Sequence, residues 1–555
     1  MIKKEIINIL KKITNLKDKD INRLLAIPPN NKFGDYSIHC YTLAKLINKE
    51  PNDLAKDLAF RIKSPIVEKT QIIGPYLNIF INKQTITKTI LEEILKKKQD
   101  FGSQKQKKKI IIEYCAPNTN KPLHLGHLRN IALGESTSRI LEFLGNKVIR
   151  LNLVNDRGIH IMQSMLAYQK FGNKKKPDKK SDHFVGDYYV MFSKKANDSL
   201  NKEAQELLIK WESNDKSTLS LWNKMNKWAL TGFDQTYKRL NIKFHKTYYE
   251  SDYFDKGKNI VNKGLKKKIF DKDEEDNVMA DLSEYNLPNR ILLRKDKTSV
   301  YITQDLALAE LKLKDYNPDL SIYVVASEQN LHFKQLFAIL DKLKSKISDK
   351  CHHLSYGMVL LPEGRMKSRE GKVVDADTLL DEVVNLAEDE LKSRKRKITE
   401  QKKSQIGIGA LKFYLIKIDP IKDIVYDPKE SISFTGDTAP YVQYAHARIC
   451  SIIKKTKTPK NIDYSLLFLP QETELIMLLS KFPGIIEEAA NNYKPSLITN
   501  YLLDLTKLFN RFYDSINVLN TEPKLRDSRL ALILAVKQVL SNGLFLLGID
   551  APKEM

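Results

Sequence analysis

Cysteine is scarce in this 555-residue chain: there are four, Cys40, Cys115, Cys351 and Cys450, and no two form a C-x-x-C pair. That spacing excludes a disulfide framework and a cysteine zinc site. The only local cluster, Cys351-His352-His353, reads as packing or a solvated triplet and not as a ligand set. Long apolar runs are lacking as well; none approaches the roughly 20 residues that cross a bilayer, so no membrane partner is expected. The N-terminus, MIKKEIINILKKI, breaks its apolar pattern with lysines and offers no small-residue cleavage site, which makes it an amphipathic helix and not a signal peptide. The cytoplasm is the expected compartment. Internal repeats and long low-complexity tracts are also missing, which leaves ordinary globular domains. Acidic residues are in deficit, 68 Asp+Glu against 93 Lys+Arg, for a formal net charge of +25. A field of that sign favours a polyanion, nucleic acid first, although lysine-rich solvated helix faces would give the same count.

What is present is chain enough for several cores. At about 150 residues per domain the length implies roughly three to four of them, and the 42% hydrophobic content is that of a globular protein. Residues 1–105 alternate helical patterns with short strand candidates such as QIIGPYLNIFIN (71–82), and a polar basic run, GSQKQKKK (102–109), serves as a linker. From residue 110 the pattern becomes β-α-β: strand IIIEY, a loop, a helix over 126–144 stopped by Gly145, and strand VIRLNLV (148–154). Such units build a parallel, doubly wound, Rossmann-like sheet. Residues 170–290 are charged and mostly helical, carry the loop NKKKPDKKSD, and read as an insertion between sheet halves. SVYIT (299–303), SIYVVA (321–326) and LSYGMVLL (354–361) supply the second half. Beyond 405 only helical periods remain. The expected organisation is a multidomain α/β protein: an α+β N-terminal domain (1–105), a Rossmann-like domain (106–404) and an all-α C-terminal domain (405–555).

The most informative stretch is 110–127, IIIEYCAPNTNKPLHLGH. A strand that ends in a loop and reopens as a helix presents unpaired N–H groups and the positive end of the helix dipole to an anion. His124 and His127 sit at that mouth as donors, with Asn118 and Lys121 just upstream, and Gly126 lets a flat ring such as adenine lie against the backbone. H-x-G-H alone is frequent by chance; the strand before it and the helix after it give it weight. The segment resembles the HIGH signature of class I aminoacyl-tRNA synthetases. The longer form, EYCAPNTNKPLHLGHLRN followed by GESTSRILEFLGNKVIRLNLVNDRG, is similar to the arginyl-tRNA synthetase family in particular. The resemblance implies activation of L-arginine by ATP to arginyl-adenylate and transfer of arginine to the 3′-terminal adenosine of tRNA(Arg). It also implies Mg2+ accompanying ATP, and no metal held by the protein.

About 240 residues on, GRMKSREGKVVDA stands where the family carries its KMSKS loop, with Arg365, Met366, Lys367, Ser368 and Arg369 in the five positions. Ser368 replaces the usual second lysine. In the family a lysine just before the HIGH box supplies the missing charge, and Lys121 holds that place. Cations here would stabilise the charge that accumulates as pyrophosphate leaves. The resemblance thus assigns His124, His127, Lys121, Lys367 and Arg369 to catalysis, and His124, Gly126, His127, His332, Met366 and Lys367 to ATP. Arginine's guanidinium is planar, always charged and five-donor, so it demands acceptors in fixed orientation. Matching family positions make Glu113 and Asp305 its acceptors, Tyr301 the pocket wall, Asn118 the partner of the α-amino and carboxylate end, and Gln329 a further pocket residue. No editing domain is evident: a neutral rival would leave buried carboxylates unpaired, which by itself costs several kcal/mol.

For the RNA, FGDYS (33–37) and IGPYLNIFIN (73–82) resemble the family's additional N-terminal domain, which contacts the tRNA elbow, with Tyr76 and Asn78 as stacking and hydrogen-bonding candidates. FTGDTAPYVQYAHARI (434–449) and the last 27 residues (529–555) resemble its helical anticodon-binding domain. Tyr444, Tyr513 and Met555 are stacking or packing candidates there, and Leu530, Leu532, Ile533 and Leu534 read as helix core. A monomer is expected. Other class I synthetases of the glutamyl, cysteinyl or methionyl type lack Glu113 and Asp305 as a pair. A small H-x-G-H nucleotidyltransferase would not need 555 residues, and a non-enzymatic RNA-binding module would not need both histidines.

Overall fold

In the computed structural model, which describes residues 2–26, 28, 30–360, 374–460 and 462–555, the N-terminal region is a four-stranded antiparallel sheet backed by helices. Its strands are Leu25–Ala26 (β1), Tyr36–His39 (β2), Val67–Ile73 (β3) and Tyr76–Ile81 (β4), in the order β1-β2-β4-β3. Ile2, Ile6 and Leu10 recur at helical spacing in the first helix and are buried against this sheet's core. The helix Lys83–Lys97 leaves the domain. It packs on Pro523–Leu546 and Pro470–Asn492 of the C-terminal bundle, and the Asn542 amide donates to the Lys98 carbonyl at 3.0 Å. The boundary expected at 105 therefore falls after a helix that belongs with the far end of the chain.

The central sheet is parallel and doubly wound. It is built from Lys109–Glu113 (β5), Lys147–Val154 (β6) and Lys246–Tyr249 (β7). After a small antiparallel sheet of Asp271–Lys272 (β8), Val278–Ala280 (β9) and Arg290–Leu293 (β10), it is completed by Leu320–Ala326 (β11) and Cys351–Tyr356 (β12). The order is β12-β11-β5-β6-β7. Ile110, Ile111, Ile112, Ile322 and Val324 are buried, as strands covered on both faces require. Chain direction around the sheet reverses between β5 and β11, where Glu113 pairs with Tyr323, and ligands of such sheets sit at the carboxyl ends of the strands beside that reversal. Downstream, Val359–Leu360 (β13) pairs in parallel with Ile424–Val425 (β14), joining this domain to the helical one.

Four expectations need correction. SVYIT is not a strand: Tyr301 opens the helix Tyr301–Tyr316. Its five residues alternate, but Ile302, Leu306 and Ala309 bury one helical stripe, and a helical period sustained over 16 residues outweighs a short alternation. The insertion does not run unbroken over 170–290, because β7 lies inside that range and forms the edge of the central sheet. Four helices, from Ile159–Phe171 to Lys216–Arg239, lie between β6 and β7, and β8–β10 lie beyond β7. An edge strand reading KTYY carries too little apolar pattern to stand out among charged helices. Pro523–Leu546 is long and apolar enough to cross a membrane, although no segment was expected to be; 72% of its most apolar window is buried inside the fold, so bundle packing accounts for its composition. The boundary at 405 falls within the helix Glu400–Ile416.

Candidate active site

The run of β-branched residues in β5 delivers Glu113 to the sheet edge. The chain then turns sharply: Cys115 and Ala116 both hold positive φ, 82° and 50°, a conformation side chains seldom adopt and one that clusters at functional loops. Asn130, two turns into the following helix, fixes the turn by accepting the Cys115 N–H at 2.5 Å and donating to the Val324 carbonyl at 2.6 Å. Gly134 lets that helix lie on Tyr114, since a Cβ there would come within 2.4 Å of the ring. Asn118 forms an isolated bridge to Asn155, tying the loop to the end of β6.

The helix Leu125–Phe143 starts at His124, and the two histidines cap it reciprocally. The Gly126 N–H donates to His124 Nδ1, and the His124 N–H donates to His127 Nδ1, both at 3.1 Å. With Nδ1 accepting, each neutral ring carries its proton on Nε2 and keeps it available as a donor. Burial keeps them neutral: it pushes His124 down to about 3, with Lys121 adding to the effect. His127 lies well below its ordinary range for the same reason, helped by His124 and Lys121. Lys121 is also lowered by burial and has no ion-pair partner among the described residues. A cavity of about 230 Å³ opens here, lined by Lys121, Leu123, His124, His183, Asp375 and Thr378. Residues just after the second basic motif flank this mouth: Leu125 N–H donates to Val374 O and Ala376 N–H to Leu123 O, both at 3.0 Å. Arg365, Met366, Lys367, Ser368 and Arg369 lie outside the described residues.

On the other side of β5 the surroundings turn acidic. Asp305, one turn into its helix, meets His332 Nε2 at 2.6 Å, which places His332, expected at ATP, beside this carboxylate. Glu113 forms a 2.7 Å ion pair with Lys312, two turns along the same helix as Asp305 and therefore on the same face. Tyr301 is 72% exposed and Gln329 is exposed at the end of the turn after β11. A residue the sequence reading missed completes the group. Glu250 follows β7, is buried, and is raised to about 7, first by burial; Arg157, 3.8 Å away, opposes the shift, and Asp156 and Asp305 add to it. Asp156 in turn accepts the Ser251 N–H and hydroxyl at 2.9 and 2.7 Å. Its signal was a carboxylate at the carboxyl end of a parallel strand, hidden once β7 was assigned to the insertion.

Comparison with known proteins settles the family. A model of the class I (R) tRNA synthetase catalytic domain matches residues 90–427, an arginyl-tRNA synthetase N-terminal domain matches 1–81, and a DALR anticodon-binding domain matches 442–555. The chain belongs to the arginyl-tRNA synthetase family. It is 43% identical over 546 residues to an arginine–tRNA ligase of Treponema denticola, covering 94% of this chain and 92% of that one. It is 40% identical over 557 residues to that of Borreliella burgdorferi, covering 96% and 95%. The solved Thermus thermophilus arginyl-tRNA synthetase superposes over 100% of both chains with a TM-score of 0.86 at 27% identity.

The structure separates the remaining candidates by exposure. Tyr76 is presented at the start of β4, stacked on His39 at 4.9 Å, whereas Asn78 on the same strand is buried. Tyr444 and Tyr513 bracket the Arg448 guanidinium at 4.8 and 5.2 Å. Met555 is buried with Phe434 and Ile406, so it packs. Cys351-His352-His353 packs as well: Cys351 Sγ lies 3.2 Å from the Ile347 carbonyl, His353 Nε2 lies 2.9 Å from the Val325 carbonyl, and His352 lies against Tyr493. Among the described residues one group has metal-ligand geometry, Asp182, His183 and Asp377. Lys180 meets both carboxylates at 2.7 and 2.8 Å, so the chain's own cation already occupies it.

Proposed function

We propose that this chain joins L-arginine to the 3′-terminal adenosine of tRNA(Arg) at the expense of ATP, with the two sides of β5 dividing the work. The observation that carries this reading is the pair of opposite environments on one sheet edge: two neutral histidine donors at a helix mouth, and buried carboxylates a strand away. An arginine carboxylate oxygen attacks the α-phosphorus of ATP in line, forming a C–O–P anhydride as the bond to pyrophosphate breaks. The ribose 2′-hydroxyl of the tRNA then attacks the carbonyl carbon, an ester forms, and AMP leaves.

No side chain becomes covalently modified, so catalysis is positioning and electrostatics. His124 and His127 donate from Nε2 to phosphate oxygens. Lys121, and by sequence Lys367 and Arg369, take up the charge of departing pyrophosphate. Gly126 leaves the backbone open to the adenine, and Met366 lines the same site by sequence. Asp305 and Glu250 face the guanidinium; Glu113, expected as the second acceptor, is instead held 2.7 Å from Lys312. Tyr301 and Gln329 flank the guanidinium, and Asn118 holds the amino-acid end. Mg2+ would arrive on the triphosphate, where it neutralises phosphate charge. Tyr76, Tyr444 and Tyr513 are the ring surfaces offered to tRNA. Charging of tRNA with each of the twenty labelled amino acids tests this: arginine alone should be esterified, and any other result, or none, overturns the reading.

A further inference from the structure

Three carboxylates stand at the arginine side, and they are compensated unequally. Asp305 has a histidine, His332, on one oxygen, and its own side chain is 27% exposed. Glu250 has Arg157 at 3.8 Å, but Arg157 is shared with Glu212 at 2.6 Å. Glu113 alone has a dedicated internal cation. Lys312 Nζ lies 2.7 Å from Glu113 Oε2, with side-chain exposures of 1% and 8%. Neither atom has another hydrogen-bond partner among the described residues. The ammonium also rests 4.1 Å from the ring centroid of Tyr323, the residue that pairs with Glu113 across β11 and β5. Burying two charges is costly unless they are held together, and this pair is held by a strand end, a helix face and an aromatic ring.

We propose that Lys312 is a specificity-determining positioning residue of the arginine pocket: it fixes and neutralises Glu113 from inside the fold, so that a cationic substrate meets two available carboxylates, Asp305 and Glu250, and not three. The proposal rests on the reading of that sheet edge as the arginine site. Lys312 does not touch substrate; it acts through Glu113. With the ammonium gone, Glu113 would be free to turn toward the substrate cation and would draw the guanidinium out of register with Asp305 and Glu250. Among the described residues, those of the adenine and phosphate side, across β5, share no contact with Lys312, and that side would be unaffected.

Arginine-dependent ATP–pyrophosphate exchange, measured with tRNA(Arg) present, tests it on the full-length protein. Lys312→Met should lower kcat/KM for arginine tenfold or more and leave the KM for ATP within twofold. Lys312→Arg should recover kcat/KM to within threefold of the native protein. In a Glu113→Gln background, Lys312→Met should cost less than threefold further; this double variant buries no unpaired charge, so it is read even if the single variant fails to fold. A parallel rise in both KM values, or an undiminished cost of Lys312→Met in the Glu113→Gln background, would overturn the proposal. Exchange by the native protein that does not depend on arginine would instead overturn the reading of the site, and the proposal with it.

Discussion

The nucleotide mouth and the arginine pocket share β5 yet are built in opposite ways. At the mouth, His124 and His127 are fixed by backbone N–H groups within four residues of each other, and burial keeps both rings uncharged. At the pocket, Glu113, Glu250 and Asp305 come from the ends of β5 and β7 and from the helix Tyr301–Tyr316, and each faces a basic partner from elsewhere in the fold. The first is a local, neutral device that offers donors to an anion. The second is an assembled, charged one that discriminates among cations. The difference predicts that substitutions on either side fall on one substrate and spare the other.

The largest effect is expected at Asp305. Asp305 is partly exposed in the free protein, but a bound guanidinium would cover it, and removing one partner of a charge pair desolvated in this way costs about 4 kcal/mol, roughly a thousandfold; Asp305→Asn should therefore lower kcat/KM for arginine by about that factor while the KM for ATP stays within twofold. Comparable losses for both substrates would erase the distinction. On the other side, loss of one preorganised donor is worth about a hundredfold in kcat. His127→Ala should therefore slow adenylate formation by about that factor with arginine binding, measured by titration calorimetry, unchanged.

The two sides should also differ in pH response. Glu250 is raised to about 7, chiefly by burial, and the substrate guanidinium needs it ionised. A proton competes below that value, so kcat/KM for arginine should climb about tenfold per unit toward pH 7 and level off above it. Glu250→Gln should remove that limb. For ATP, no histidine step is expected between about pH 5 and 8, because His124 is pushed down to about 3 and His127 is also depressed. The smallest effect is at Gly126, where a Cβ would sit 3.0 Å from His124 Cε1 and 3.1 Å from Nδ1. Displacing that ring costs about 1 kcal/mol, so Gly126→Ala should reduce kcat/KM for ATP roughly fivefold.

The same contrast decides what could be read in the sequence. The nucleotide mouth is contiguous, so its strand, loop, cap and helix are visible in 18 residues, and the structure brings His124, Gly126 and His127 together as one cap. The pocket is scattered, and its parts emerge only when the strand order is known. Glu250 was missed because β7 is a four-residue edge strand without apolar alternation, and the buried pairing of Glu113 with Lys312 lies 199 positions apart in the chain. Tyr301 and Asp305 read as the end of a strand but lie in a helix, since a β-branched helix start looks like a strand. Exposure was equally illegible: Tyr76 and Asn78 are two residues apart on one strand, and only the tyrosine reaches the surface.

Citrulline offers the most direct test of the central claim, because it matches arginine in shape and lacks the charge that Asp305 and Glu250 would balance. Activation of arginine and of citrulline should be compared in the native protein and in Asp305→Asn, with the KM for ATP followed in both. Native discrimination of roughly 10³ or more, narrowed sharply in Asp305→Asn at an unchanged KM for ATP, is the predicted result. Native activation of citrulline within tenfold of arginine, or a ratio untouched by Asp305→Asn, would contradict it.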